Sequence, residues 1–460
     1  MSETIAAVAT GGVLSAIGVI RLSGDGVLAV IDRVFRPFSG APMSRREDRK
    51  LIYGALTNAG GETIDLCLCT VSRAPHSYTG EDTAELQCHG SPTVLREGIE
   101  ALFAAGARQA LAGEFTKRAF LNGKLDLTQA EAVIDVIEAE TAEAAKNAAG
   151  QLGGAIRRKT DAVYDLLRDI SSHYHAVIDY PDEDIEPFEL ISYAAALDDA
   201  EGALDALLRS FDRGRVMNQG VPTAIVGRPN AGKSTLLNAL LGYDRAIVTD
   251  VPGTTRDTVT EKVRLGGVLL RLTDTAGLRD AHDEIERLGV ERSRRAMAEA
   301  GLILLLIDAG GEATPEDMTL LRTVEESGKP SIILPSKIDR VTEADVSALL
   351  GRLGKTSAPV VPVSAKTGAG LDELARAVSS LFPPAAVPAG EILTNARHYG
   401  AVQRALEGLR AAKTAMAGGL TPDAVLTETE AAMAALGELT GKTVREDVTE
   451  RIFERFCVGK

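Results

Sequence analysis

The run Gly227-Arg228-Pro229-Asn230-Ala231-Gly232-Lys233-Ser234 has the spacing G-x-x-x-x-G-K-[ST]. Chemically, that spacing is a cradle for phosphates. Its glycines let backbone N–H groups close around phosphate oxygens, and a helix that follows adds the positive end of its dipole. Lys233 can reach the β- and γ-phosphates and the Ser234 hydroxyl can ligate Mg2+, with Thr235 next in the nucleotide-binding run. The context fits: the apolar strand-like Val221–Val226 precedes the loop, and a helical stretch over 235–241 follows it.

Four more groups follow in an order that such a site requires. Asp274-Thr275-Ala276-Gly277 ends the strand-like 268–273, so Asp274 is expected near the metal and the Gly277 amide near the γ-phosphate. Gly253-Thr254-Thr255 offers Thr255 as a switch hydroxyl on Mg2+. Ser336-Lys337-Ile338-Asp339 follows a strand-like 332–335; Asp339 can accept from guanine N1 and N2 while the Lys337 stem covers the base. Ser364-Ala365-Lys366 can supply backbone contacts to the guanine oxygen. Adenine gains nothing from Asp339, so GTP is the expected nucleotide and its hydrolysis the expected reaction. Two positions depart from the usual pattern. Ser336 stands where an asparagine normally helps read the base, which predicts weaker base affinity. Leu278 stands where Ras-like proteins carry a water-positioning glutamine, so hydrolysis needs another polar group, and the charged 283–287 is the nearest source.

These groups need elements to hold them. At 460 residues the chain is too long for one core, and 45% hydrophobic with 25% charged residues describes an ordinary globular composition. Residues 1–122 read as α+β, with strands at Ile17–Leu22, Ile64–Val71 and Thr83–Gln87 and a helix near Pro92–Ala105. Residues 123–215 turn Ala-, Glu- and Leu-rich with helical spacing, Ala130, Val133, Ile134 and Ile137 marking one face. Strand–helix alternation returns over 216–383. A Pro- and Ala-rich linker at 383–390 leads back to helical texture over 384–460, with Val402, Leu406 and Leu409 on one stripe and Val448, Ile452, Phe453 and Phe456 on another. The expected class is multidomain α/β plus α: an α/β unit inserted into a helical-bundle domain whose halves flank it, behind an α+β N-terminal domain.

Net charge of −15 argues against broad non-specific nucleic-acid binding without excluding a local basic face. No apolar run approaches the ~20 residues of a membrane span, and the first residues lack a signal-peptide pattern, so a cytoplasmic protein without a membrane role is expected. Of the four cysteines, Cys67 and Cys69 are expected on opposite sides of a strand and Cys88 stands alone. No zinc spacing or disulfide framework is evident, so these three are expected as buried or idle thiols.

The phosphate loop, Thr249-Asp250-Val251-Pro252-Gly253-Thr254-Thr255, Asp274–Gly277 and the run 285–292 together resemble the MnmE (TrmE) family of tRNA-modification GTPases. The resemblance extends to 77–90, 113–132 and the terminal 452–460, and so covers essentially the whole chain. It implies a homodimer joined through folate-binding N-terminal domains, with a Ras-like GTPase domain inserted in the helical one. It implies work with a GidA-type FAD-binding protein in a heterotetramer. That complex would add an aminomethyl-type (carboxymethylaminomethyl) group at carbon 5 of the wobble uridine of certain tRNAs, from a one-carbon unit of 5-formyltetrahydrofolate or a relative.

By position, the resemblance assigns Arg21, Glu85, Lys124 and Lys460 to folate and Cys457 to the chemistry near it. It assigns Asn230, Thr249, Val251 and Thr254 to a potassium ion and Glu286 to catalysis, which would answer the gap left by Leu278. Read without the family, Cys457 is equally a small buried residue at a helix end, and Arg21 a surface charge at a strand end. One segment departs: Thr10 is followed by Gly-Gly-Val-Leu where the family carries a Pro-Pro-Gly-Arg run, so any folate role of that arginine is missing. The alternative reading is a ribosome-assembly or regulatory GTPase switch without folate chemistry. Such proteins usually attach an RNA-binding module with a G-x-x-G loop, which the region after 384 lacks.

Overall fold

The computed structural model describes residues 2–11, 14–180, 190–243, 261–272, 295–383, 387–443, 446–454 and 456–459. The chain divides into two compact units. One comprises Met1–Ile134, Leu152–Glu201 and Arg404–Lys460; the other comprises Asp135–Gln151 and Gly202–Gln403.

The first unit is built on a seven-stranded sheet. Its strands are β1 (Ile5–Val8), β2 (Ile17–Ser23), β3 (Phe35–Pro37), β4 (Ile52–Thr57), β5 (Thr63–Ser72), β6 (Thr83–His89) and β7 (Arg108–Gln109), ordered β3-β4-β5-β6-β2-β1-β7. Period-two alternation sorts the side chains. Ile20, Leu22, Leu86, Cys69 and Val71 pack into one core with α1 (Val27–Val34) and α2 (Pro92–Ala104). Ile5 and Ala7 face the other way, where Ala110 and, from α3 (Glu114–Leu121), Phe115 cover them. Strands expected at 17–22, 64–71 and 83–87 and the helix at 92–105 are all present.

Cys67 and Cys69 correct the expectation. Residues two apart in a strand share a face, and both thiols are buried in the same core. Cys88, isolated in the sequence, is buried there too.

The helices α4 (Leu127–Glu138), α5 (Ala142–Leu152), α6 (Ala155–Asp179) and α7 (Leu190–Gln219) follow. In α4 the expected stripe holds at Ala130 and fades toward Ile137, which is exposed. Along α6, Ile156, Thr160, Val163, Leu167 and Ile170 are buried at alternating four- and three-residue steps. The helix Pro422–Thr440 answers with Val425, Thr429, Ala432, Leu436 and Leu439. That rhythm keeps one seam on each helix, which is how a bundle pair packs. Among the described residues no helix is long and apolar enough to cross a membrane.

The second unit holds a five-stranded sheet: β8 (Val221–Val226), β9 (Glu261–Leu265), β10 (Val268–Leu272), β11 (Leu302–Asp308) and β12 (Ser331–Ser336), ordered β12-β11-β8-β10-β9. Only β9 runs antiparallel to its neighbour among these pairs. β11 reads as a continuous apolar run because both of its faces are covered. Leu302, Leu304 and Leu306 enter one core, and Ile303, Leu305 and Ile307 the other. Val360 and Val363 extend the sheet past β12 by single bridges to Ile333 and Ser336.

Candidate functional site

Strand order reverses at β8, whose neighbours β10 and β11 are reached in opposite directions. The crevice beyond the carboxyl end of such a strand is where open α/β sheets bind ligands. There the loop 227–232 leads into α8 (Lys233–Tyr243). Gly227, Asn230 and Gly232 have φ of 153°, 63° and 101°. At Gly227 a Cβ would come within 2.6 Å of the Leu306 carbonyl oxygen, so only glycine fits against β11. Lys233 Nζ donates to the Gly227 and Arg228 carbonyls, each at 2.8 Å, and so closes the loop on itself. Burial pulls the Lys233 pKa down. A phosphate arriving here would meet an ammonium whose water is already partly stripped.

Two contacts that the sequence does not suggest brace this loop. Arg228 Nε donates to Asp317 Oδ1 at 2.9 Å, and Asp317, 2% exposed, also forms a capping box with Thr314 at the start of the helix Pro315–Glu326. Ser336 Oγ donates to the Ala231 carbonyl at 2.7 Å, with the Ile307 carbonyl at 3.3 Å, tying the end of β12 to the phosphate loop.

The expected base-reading residues converge beside it. Lys337 adopts φ 60° and its ammonium bonds Asp308 Oδ2 at 2.7 Å, which leaves its Cε 4.0 Å from a Cβ built on Gly232. The Lys337 stem therefore stands over the phosphate loop. Ser364 Oγ donates to Asp339 Oδ1 at 2.7 Å, and that bond leads the groups that lower the Asp339 pKa. Asp339 is exposed and held anionic, so its carboxylate can accept from a ligand. Ala365 and Lys366 lie in the turn that follows Ser364. Asn230 and Thr235 are exposed, and Ser234 is half-buried on the first turn of α8. Thr249, Asp250, Val251, Pro252, Gly253, Thr254, Thr255, Asp274, Thr275, Ala276, Gly277, Leu278, Glu286 and Lys460 lie outside the described residues.

A second constellation sits in the other unit. The β2–β6 register sets Arg21 opposite Glu85, and Arg21 Nε donates to Glu85 Oε1 at 2.9 Å. The guanidinium lies 5.6 Å from the Tyr78 ring centroid and 5.9 Å from that of Phe115, within cation–π range. Burial raises the Tyr78 phenol pKa, and its oxygen is 3.0 Å from Thr116 Oγ1. Lys124 is exposed, its Cε 3.3 Å from a Cβ built on Gly80, the turn glycine two residues after Tyr78. Tyr78 and Phe115 escaped the sequence reading as site residues, since their approach to Arg21 spans 57 and 94 positions.

The chain's end comes to the same element. Phe453 and Phe456 are buried against Ala130, the Gly113 N–H donates to the Cys457 carbonyl at 3.5 Å, and Val458 bridges Ala112. Gly459 packs on Val8, where a Cβ would meet the carbonyl oxygen at 2.5 Å. Cys457 follows the last helix as an exposed thiol, not the buried helix-end residue of the plainer reading. Gly113 lies two residues before Phe115, so the tail is anchored beside the helix that covers Arg21.

A family model described as the MnmE helical domain matches residues 127–457, and one described as the GTP-binding protein TrmE N-terminus matches residues 4–124. A tRNA modification GTPase MnmE of Symbiobacterium thermophilum is 43% identical over 458 residues, covering 100% of this chain and 99% of its own length. Proteins of the same description from a Roseiflexus species and from Chloroflexus aurantiacus are 43% and 42% identical, again over 100% of this chain and 99% and 100% of their own lengths.

Proposed function

The chain belongs to the MnmE (TrmE) family, and from that premise we propose that it is a GTP hydrolase acting in tRNA modification. The observation that carries this reading is the meeting of two loops. The phosphate loop at the end of β8 and the base-reading residues after β12 are joined by the Ser336–Ala231 bond, so one nucleotide can engage both.

In this site the backbone N–H groups of Asn230, Ala231, Gly232 and Lys233 bind the phosphates, and Asp339 selects guanine. The Lys233 ammonium, freed from the Gly227 and Arg228 carbonyls, takes up charge on the β- and γ-phosphates. Bound Mg2+ supplies Lewis-acid neutralisation there, and the half-buried hydroxyl of Ser234, with Thr255, would hold it. The exposed Asn230 offers an amide oxygen, the hard donor an alkali cation takes. With Thr249, Val251 and Thr254 it would hold a potassium ion, which adds positive charge where other GTPases insert an arginine. Glu286 would then orient the attacking water in place of the glutamine that Leu278 displaces.

The first unit would hold the folate. Arg21, Lys124 and Lys460 suit folate carboxylates, Glu85 suits pterin N–H donors, and the Tyr78 and Phe115 rings suit a flat heterocycle. Cys457, an exposed thiol, would serve the chemistry at that site. The substrate class is the wobble uridine of certain tRNAs, modified at carbon 5 by a homodimer working with a GidA-type FAD-binding protein. The domains proposed are 1–122, 123–215, 216–383 and 384–460.

The test combines two readouts on the same variants. A strain lacking this protein should lose the aminomethyl-type mass on its wobble uridines and regain it from the wild-type chain. GTP turnover should be higher in potassium than in sodium and fall at least tenfold in Glu286→Ala. Unmodified turnover in sodium overturns the potassium assignment, and intact wobble uridines in the deletion strain overturn the tRNA assignment.

A further inference from the structure

On the sheet face turned away from Arg21 and Glu85, the β5–β6 pairing brings together donors that lie far apart in sequence. Leu68 pairs with Gln87 in an antiparallel register, which sets Cys67 directly across from Cys88. The two thiols are 4% and 2% exposed. Among the described residues, one ligand atom each from Asp65, Cys67 and Cys88 lie within 4.8 Å of one another. The Asp65 side chain, 9% exposed, is held in place: Oδ2 accepts from the His89 N–H at 2.8 Å and Oδ1 lies 2.7 Å from His89 Nδ1.

We propose that Cys67, Cys88 and Asp65 bind a thiophilic divalent cation of the zinc class, with water as the fourth ligand and His89 as the outer partner that orients the carboxylate.

The donor set matches the ion. Two sulfurs and a carboxylate oxygen suit zinc, and a ligating carboxylate is itself usually held by a hydrogen bond, as His89 holds Asp65. A tetrahedral zinc with Zn–S bonds of about 2.3 Å places its sulfurs about 3.8 Å apart, so closing this cluster takes about an ångström of movement or less. The core side of the thiol pair is closed, while the Asp65 side opens toward the exposed His89. Gly54 and Gly18 flank the thiol pair on β4 and β2, and Phe35 and Leu95 fill the space their side chains would take. As plain packing the cluster is awkward, because a carboxylate is placed against thiols at the edge of an apolar core. On binding a dication each thiol releases one proton to solvent, two per ion, and the two thiolates and carboxylate leave the site with a net charge of −1. No oxidant is involved. The bound ion clips the start of β5 to the end of β6.

The test uses the full-length protein, reduced and stripped with a chelator, then titrated with Zn2+ or Co2+. The expected result is one ion per chain, release of two protons, a thiolate-to-cobalt absorption band and a raised unfolding temperature. Asp65→Asn, which removes a charged ligand, should weaken binding by about tenfold or more, at least what losing an outer partner costs, Cys67→Ser with Cys88→Ser should abolish it, and Cys457→Ser should leave it unchanged. Should the double variant fail to fold, alkylation of the wild type in a denaturant concentration that opens the metal-free protein decides, because zinc must slow modification of Cys67 and Cys88 there. No saturable uptake, uptake untouched by Asp65→Asn, or no protection of the two thiols overturns the site. A Cys67–Cys88 disulfide in the freshly isolated protein does so as well.

Discussion

Ser336 has one hydroxyl, and its single proton is directed at the Ala231 and Ile307 carbonyls. It therefore holds the phosphate loop in place and has nothing left to donate to a purine. An asparagine carries two amide protons and an oxygen, enough to keep the loop contact and add one to the base. Ser336→Asn should tighten guanine-nucleotide binding about three- to tenfold, the worth of one hydrogen bond of about 1 kcal/mol. Displacement of a fluorescent GDP measures it, and unchanged or weaker binding counts against the account. A second residue acts through charge. Glu114 is buried beside Arg108 and Arg118. Burial alone would raise its pKa, yet hydrogen bonds from Arg108, the Leu111 N–H and Arg118 bring it down to about 2 from 4.5. Because the folded value lies below the unfolded one, this stability is present above pH 4.5 and fades as pH falls toward 2. Glu114→Gln should cost roughly 3 kcal/mol at neutral pH, and the gap to wild type should close across that window. Denaturant midpoints taken at several pH values read both.

At the scale of elements, the Pro- and Ala-rich stretch after 383 reads as a simple linker, and part of it is firmly held. Asn147 of α5, 2% exposed, accepts from the N–H groups of Gly390 and Ile392 at 2.9 and 3.3 Å and donates to the Ile392 carbonyl at 3.1 Å. Gln151 adds a bond to the same carbonyl at 2.6 Å. A segment outside helix and sheet thus satisfies its backbone through side chains of α5, with Ser210 of α7 accepting from the Leu393 N–H at 2.9 Å. Asn147→Ala leaves buried donors unpaired, and a loss of about 2–4 kcal/mol should follow. Hydrogen exchange over 387–395 should then speed at least tenfold while β11 stays protected; uniform loss of protection would point instead to global unfolding. Asn147 is invisible in sequence because an asparagine within Ala-rich helical texture reads as a solvated position. β2, β5, β6, β8 and β11 were legible for the opposite reason: period-two alternation or an unbroken apolar run is local. So was the phosphate loop, whose chemistry lies within eight residues. The Tyr78–Arg21–Phe115 cluster and the Cys67–Cys88 pair depend on strand and helix neighbours that only the fold supplies.

For the whole molecule, the two proposed binding centres rest on separate cores. Arg21 and Glu85 are positioned by β2, β6 and α3 in the first unit, while Lys233 and Asp339 are positioned by β8, α8 and the end of β12 in the second. Each centre should therefore fail alone. Arg21→Ala removes a cation, its pair with Glu85 and its contact with two aromatic rings. It should weaken 5-formyltetrahydrofolate binding at least tenfold and leave GDP affinity within about twofold, since a charge-assisted contact is worth about 1.5–3 kcal/mol. Lys233→Ala should do the reverse, because an ammonium is lost from the phosphate loop while the sheet around Arg21 keeps its own packing. Titrating both ligands against both variants gives four affinities from one preparation each, with circular dichroism confirming that each variant is folded. If Arg21→Ala weakens GDP fivefold or more in a folded protein, the two centres are energetically coupled and the independence argued from their separate cores is wrong.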